Sequence, residues 1–202
     1  MNKEELRSFW SARYHEGRTG WDIGYPSPPL TDYLDQLTDK SLRILIPGAG
    51  NAYEAAYAWE QGFTNVCVLD IAREPLAAFH ERQHGFPKEQ LLQDDFFAHE
   101  GVYDLILEQT FFCSFPPLPE TREAYAKKMH QLLVPGGKLV GLWFDIPLTE
   151  DMEKRPFGGT REAYLNYLMP YFHPAVFDAA RNSIKPRMGS ELFGIFVRKT
   201  IA

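Results

Sequence analysis

Residues 44–50 read ILIPGAG, and NAYEAAYAWEQG follows directly at 51–62. An apolar run ends in Gly-x-Gly and opens into a segment with helical spacing. This is the junction at which a strand presents a nucleotide to a helix N-terminus. The third glycine of the dinucleotide fingerprint is absent, because Tyr53 stands in its place. Glu54 comes next, and an anionic side chain in a first helical turn suits a cationic or zwitterionic ligand better than a pyrophosphate.

Outward from this junction, strand-like and helical segments alternate. LRILIP (42–47), NVCVLD (65–70), YDLILE (103–108) and KLVGLWF (138–144) are short and mostly apolar, as strands covered on both faces should be. QLLQDDF (90–96) adds another short strand. Between them AYEAAYAWEQG, EPLAAFHERQHG and ETREAYAKKMHQLLVPGG carry helical apolar spacing, with glycine at or near the end. Such alternation predicts a mostly parallel sheet with helices on both faces. Near the C-terminus, AVFDAARNSI and ELFGIFVRKT are strand-like runs joined by KPRMGS, which predicts an antiparallel hairpin closing the sheet.

The fold class is therefore α/β, Rossmann-like, in a single domain over 1–202. Residues 1–40 precede the sheet as an N-terminal helical extension or lid. The polar, Pro/Gly-bearing insert at 145–160 is a second candidate cover for the site. Hydrophobic residues make up 45% and charged residues 24%, a globular composition. The net charge of −6 argues against a nucleic-acid partner. No apolar stretch is long enough to span a bilayer. MNKEELRSFW lacks the apolar core of a signal peptide, and Cys67 and Cys113 read as buried reduced thiols, so a cytoplasmic protein is expected.

In open α/β sheets, ligands bind beyond the carboxyl ends of the strands. Gly48 and Gly50 stand there. About twenty residues on, Asp70 ends the next strand, where a carboxylate can grip both ribose hydroxyls. Asp95-Phe96 follows the third strand, an aromatic face for a ring beside an acceptor for an exocyclic amine. Gly-x-Gly alone is weak, and a strand-end acid is often a helix cap. The ordered set describes a ribose grip and an adenine slot without a pyrophosphate cradle, which fits S-adenosylmethionine.

With these motifs the chain resembles the class I S-adenosylmethionine-dependent methyltransferases, and within them the thiopurine S-methyltransferase superfamily, especially its halide and thiol methyltransferase branch. The resemblance rests on Trp10, TGWDIGYPSPPL (19–30), PGAG (47–50), YDLILEQTFFCSFPP (103–117), LLVPGGKLVGLWF (132–144) and Pro156-Phe157. It implies a seven-stranded sheet with the last strand antiparallel. It also implies S-adenosylmethionine as cofactor, S-adenosylhomocysteine as product, and a small soft nucleophile (thiol, hydrosulfide, halide or thiopurine-like sulfur) as acceptor. Carried over by position, Trp10, Tyr14 and Trp21 would line the methionine end and the substrate pocket. Gly48 would meet the methionyl part, Asp70 the ribose, and Asp95 and Phe96 the adenine, with Pro47, Gly50 and Ile71 also on the cofactor. Glu108 and Gln109 would complete the wall, with Phe111, Phe112 and Phe157 facing the acceptor. Tyr14 replaces the tryptophan usual in the halide branch, and Gln109 stands where that branch has tyrosine and the thiopurine branch arginine.

An in-line methyl transfer to a soft nucleophile needs no strong general base, so no catalytic residue is expected. No metal is expected either: His80 and His84 share a helix at metal-like spacing but without an HExxH context. Trp10 and Tyr14, four residues apart, equally fit the apolar stripe of a core helix. An NAD(P)-linked oxidoreductase and a cofactor-binding protein without turnover remain the alternatives. The expected partner is a small-molecule acceptor, with the chain a monomer or weak homodimer and no membrane contact.

Overall fold

The computed structural model describes residues 2–148, 151 and 155–200. Residues 149, 150 and 152–154 of the insert expected at 145–160 lie outside the described residues.

Seven strands form one sheet in the order β3-β2-β1-β4-β5-β7-β6. They are β1 (Ile44–Pro47), β2 (Val66–Asp70), β3 (Leu91–Gln93), β4 (Tyr103–Gln109), β5 (Leu133–Phe144), β6 (Phe172–Ala179) and β7 (Glu191–Arg198). β1 pairs parallel with β2 and with β4, and β4 parallel with β5. β7 runs antiparallel between β5 and β6. The C-terminal hairpin thus inserts its second strand into the sheet and leaves its first at the edge. β6 spans Phe172–Ala179, earlier than the run read from Ala175, and β5 begins at Leu133, ahead of the run read from Lys138.

The strands' side chains divide by parity. Ile44, Ile46, Leu105 and Leu107 pack with α2 (Pro28–Asp35), α3 (Tyr53–Glu60) and α4 (Arg73–Arg82) in one core. Leu45, Ile106, Leu139 and Trp143 pack with α5 (Pro119–Leu132) and α6 (Arg161–Leu168) in the other. α2 starts with proline in its first turn, where no backbone donor is lost, and buries Pro29, Leu30, Tyr33 and Leu34. Each such side chain contributes about 1.5–3 kcal/mol on burial. α1 (Lys3–His15) differs from the other α-helices. Asn2 and Glu5 close a capping box at its start, yet none of its residues is buried. It lies on the molecule as a cover, outside both cores. Among the described residues no helix is long and apolar enough to cross a membrane.

Candidate active site

Strand order reverses between β1 and β4, and a cavity of about 1010 Å³ opens beyond their carboxyl ends. The β1–α3 loop builds its floor. Gly48, Gly50 and Ala52 all have positive φ, at +58, +53 and +53°. Glycine adopts this region freely, whereas Ala52 is held there at a cost of order 1–2 kcal/mol. A Cβ on Gly48 would stand 2.0 Å from Cδ2 of Phe111. The ring fills the notch that the glycine leaves. A Cβ on Gly50 would lie 3.3 Å from the Tyr14 hydroxyl and 3.7 Å from Nε1 of Trp21, so this glycine lets the N-terminal segment settle onto the loop.

Asp70 ends β2 with its carboxylate buried. Gly50 N–H donates to its Oδ2 at 3.0 Å and Ala72 N–H to its Oδ1 at 2.9 Å. Desolvation outweighs these two bonds and pushes its pKa up to about 6. Asp95 accepts from Phe97 N–H at 3.0 Å, and Phe96 packs edge-on against Phe111 at 5.2 Å.

The N-terminal segment forms the roof. Trp21 meets Trp10 and Tyr14 edge-to-face, at centroid separations of 5.4 and 5.7 Å. Burial, then the nearby Asp70 carboxylate, raise the Tyr14 phenol far above its ordinary value. α1 is latched to the body by Lys3 on Asp94 (2.7 Å), and by Ser11 (2.8 Å) and His15 (3.0 Å) on Glu74. The Arg155 guanidinium stacks over Phe9 at 4.5 Å while its Nε donates to the Ser114 carbonyl at 3.1 Å. Arg187 reaches from the β6–β7 connection, donating to the Trp21 carbonyl at 2.7 Å and pairing with Glu191 at 3.2 Å.

Of the residues expected from the sequence, Trp10, Tyr14, Trp21 and Gly48 line the cavity, as do Asp70, Ile71, Asp95, Phe96, Gln109 and Phe111. Five do not line it. Pro47 is buried within β1, and Gly50 lies beneath Tyr14 and Trp21 with its N–H turned to Asp70. Glu108 is fully buried, and its Oε1 accepts from Phe112 N–H at 2.8 Å. Phe112 is buried against Tyr125 and Tyr164 at 4.7 and 5.1 Å. Phe157 is also buried, and its N–H donates to the Cys113 carbonyl at 2.8 Å. Glu54, expected to face the ligand, instead accepts from Ser27 N–H at 2.9 Å and anchors the entry to α2. Its position in the first helical turn fixed the residue but not the direction of its side chain. Both cysteines are free thiols, Cys113 buried and Cys67 only partly so.

The sequence did not point to Phe97, Arg155 or Arg187 as cavity residues, whereas Phe115, in the FFCSFPP run, could be read as pocket wall or as core and lines the cavity. A single arginine in KPRMGS, over a hundred residues from the glycine loop, carries no spacing signal. The repeated phenylalanines around 96 and 111 were a usable cue for the aromatic wall.

This floor accommodates an adenosyl cofactor. The cavity reaches the glycine loop at Gly48, and an acidic strand end with desolvated oxygens suits two hydroxyl donors. The chain matches the family model described as thiopurine S-methyltransferase over residues 6–196. It is 30% identical to a probable thiol methyltransferase 2 of Arabidopsis thaliana over 200 residues, covering 96% of this chain and 86% of that one. It is 31% identical to thiocyanate methyltransferase 1 of Brassica oleracea over 192 residues, covering 92% and 82%. In fold it is similar to the Burkholderia thailandensis 1,6-didemethyltoxoflavin-N1-methyltransferase solved with its substrate and S-adenosylhomocysteine. The TM-score is 0.74 at 22% identity, over 97% of this chain and 88% of that one. On its motifs, its fold and these relatives, the chain belongs to the thiopurine S-methyltransferase family, whose members are S-adenosylmethionine-dependent methyltransferases.

Proposed function

We propose that the protein transfers a methyl group from S-adenosylmethionine to a small soft sulfur nucleophile, a thiol or hydrosulfide, with halides and thiopurine-like sulfur as neighbouring acceptors. One observation carries this reading. The cavity's carboxylates, Asp70, Asp94 and Asp95, all lie on the β2–β3 side, and no histidine lines it among the described residues. Each Asp70 oxygen accepts one backbone amide, which leaves a lone pair on each for a ribose hydroxyl. The opposite wall offers Phe144, Ile146 and Pro186 with the guanidiniums of Arg155 and Arg187. Among the described residues that wall has no group suited to removing a proton from an acceptor, and its guanidiniums favour one that arrives as an anion. Burial pushes the Cys113 thiol far up, so it stays protonated and is no rival nucleophile.

The bound cofactor supplies a sulfonium-activated methyl, displaced in line as the acceptor sulfur forms its new bond to carbon. The chain's own task is alignment and exclusion of water. Asp70 would accept from the ribose, Asp95 and Phe96 would frame the adenine, and Gly48 would pass the methionyl chain. The rings of Trp10, Tyr14 and Trp21 would face the cation, each worth about 0.5–2 kcal/mol. Of the residues that precede the sheet, 2–22 would act as the lid, since α2 is core, with Arg155 of the insert as its strap.

The names of the plant relatives, thiol and thiocyanate methyltransferases, support a sulfur acceptor. No finding supports the nicotinamide-linked oxidoreductase. We further infer a cytoplasmic monomer or weak homodimer, with the net charge of −6 in keeping with no nucleic-acid partner. A methyl-transfer assay across hydrosulfide, aliphatic thiols, thiopurines, iodide and selenium or tellurium oxyanions tests the reading. Turnover is expected with at least one sulfur acceptor. Cofactor binding without turnover on any of them would favour a binding protein instead.

A further inference from the structure

Glu108 is a fully buried acid that the methyl-transfer chemistry does not use. It lies one residue before the end of β4, facing α5 and α6, opposite Gly141 of β5. A Cβ on Gly141 would come within 3.0 Å of Glu108 Oε2, so the glycine clears the slot in which the carboxyl sits. Oε1 accepts from Phe112 N–H at 2.8 Å, and Oε2 has no hydrogen-bond partner among the described residues.

A buried carboxyl without a cation opposite it is costly, and an apolar side chain of similar size would fill the slot more cheaply. What the carboxyl adds is an acceptor directed at the turn that follows. That turn is unusual. Thr110 is β-branched yet has φ +53°, a conformation that persists only where the surroundings impose it. Its carbonyl accepts from the Cys113 thiol at 2.6 Å, and its N–H is held by the Leu142 carbonyl at 3.0 Å. The reversal at Thr110 throws Phe111 across the strand ends into the notch at Gly48.

We propose that Glu108 is a positioning residue. Its carboxyl oxygen holds the Thr110–Cys113 turn by the Phe112 amide and so sets Phe111 against Gly48 as a wall of the cofactor cavity. Glu108 acts on the cofactor only through Phe111. The inference rests on the cavity's being the cofactor site and not on which acceptor is methylated.

The test is S-adenosylhomocysteine affinity by titration calorimetry, with circular dichroism as the check on folding. Glu108→Gln keeps the acceptor and is expected to bind within about threefold of the unsubstituted protein. Glu108→Leu keeps the volume, removes the acceptor, and is expected to lose about tenfold or more. Phe111→Ala should weaken binding by itself, and Glu108→Leu added to it should cost little further, because the two lie on one path. A folded Glu108→Leu protein with unchanged affinity, or additive losses in the double variant, would overturn the proposal. Exchange of the Phe112 amide in the unsubstituted protein provides a check that needs no variant. Protection like that of the β4 amides is expected, and exchange as fast as an exposed loop would contradict it.

Discussion

The backbone N–H of Gly50 donates to Oδ2 of Asp70 at 3.0 Å, tying the glycine loop after β1 to the end of β2. On the proposed reading, cofactor grip and loop conformation share one carboxylate. Burial pushes that carboxylate up to about 6, while the nearby Glu74 adds a smaller rise.

Ribose hydroxyls donate to an ionised carboxylate better than to a protonated one. S-adenosylhomocysteine affinity should accordingly tighten as pH rises through about 6, by roughly three- to tenfold between about pH 5 and pH 7.5. Asp70→Asn should bind weakly and show no such step. A flat calorimetric profile in the unsubstituted protein would remove Asp70 from the ribose.

Gly48→Ala should be far worse than an ordinary glycine-to-alanine change. Its φ of +58° strains any Cβ, and the Phe111 ring occupies the space that Cβ needs. A stability loss of about 1–3 kcal/mol and a cofactor affinity loss of about tenfold or more are expected from melting and calorimetry. Adding Phe111→Ala should recover the clash component of the stability loss but not the strain.

Residues 1–22 should be dispensable for folding and essential for methyl transfer. α1 buries no residue, and its Lys3–Asp94 pair and Arg155 stacking are surface contacts that each contribute little. A truncated chain beginning at residue 23 should melt cooperatively and transfer no methyl. Hydrogen exchange over 1–22 should slow on adding S-adenosylhomocysteine. Equal protection with and without ligand would make the segment permanent structure.

Burial also pushes Glu108 up to about 8. It is protonated when folded and ionised when unfolded over the intervening range, so folding takes up a proton there. Its contribution is complete below about pH 4.5, declines as pH rises, and is lost above about pH 8. The groups facing it, Tyr125, Tyr164 and Cys113, are raised by their own burial and stay neutral over this span. Glu108→Gln should therefore gain on the unsubstituted protein in melting temperature as pH increases, by roughly 2–4 °C per kcal/mol. A constant difference across that range would mean that Glu108 does not titrate in the fold.

The strands around the glycine loop were legible because they are short apolar runs bounded by turn residues, and the hairpin because no helix separates its strands. α2 and α6 were not. α2 is eight residues behind a Pro-rich entry that reads as a turn, and α6 follows Thr160 at the end of an irregular insert. Residues at strand ends, Gly48, Asp70 and Asp95, could be placed on the cavity because strand polarity fixes where they emerge. Glu108 sits at a strand end as well, but alternation turns it to the α5 face, one residue out of phase with Gln109. Arg187 could not be found, because its role depends on β7 entering the sheet between β5 and β6.

The most direct measurement is the pH dependence of kcat/KM for two thiols of well-separated pKa, with S-adenosylmethionine as donor. On the proposed reading, no described residue of the acceptor wall takes up a proton, so the acceptor must arrive ionised. The rising limb should then follow each thiol's own pKa and shift when one replaces the other. A limb that stays at one pH for both thiols, or no methyl transfer to sulfur at all, would contradict the account.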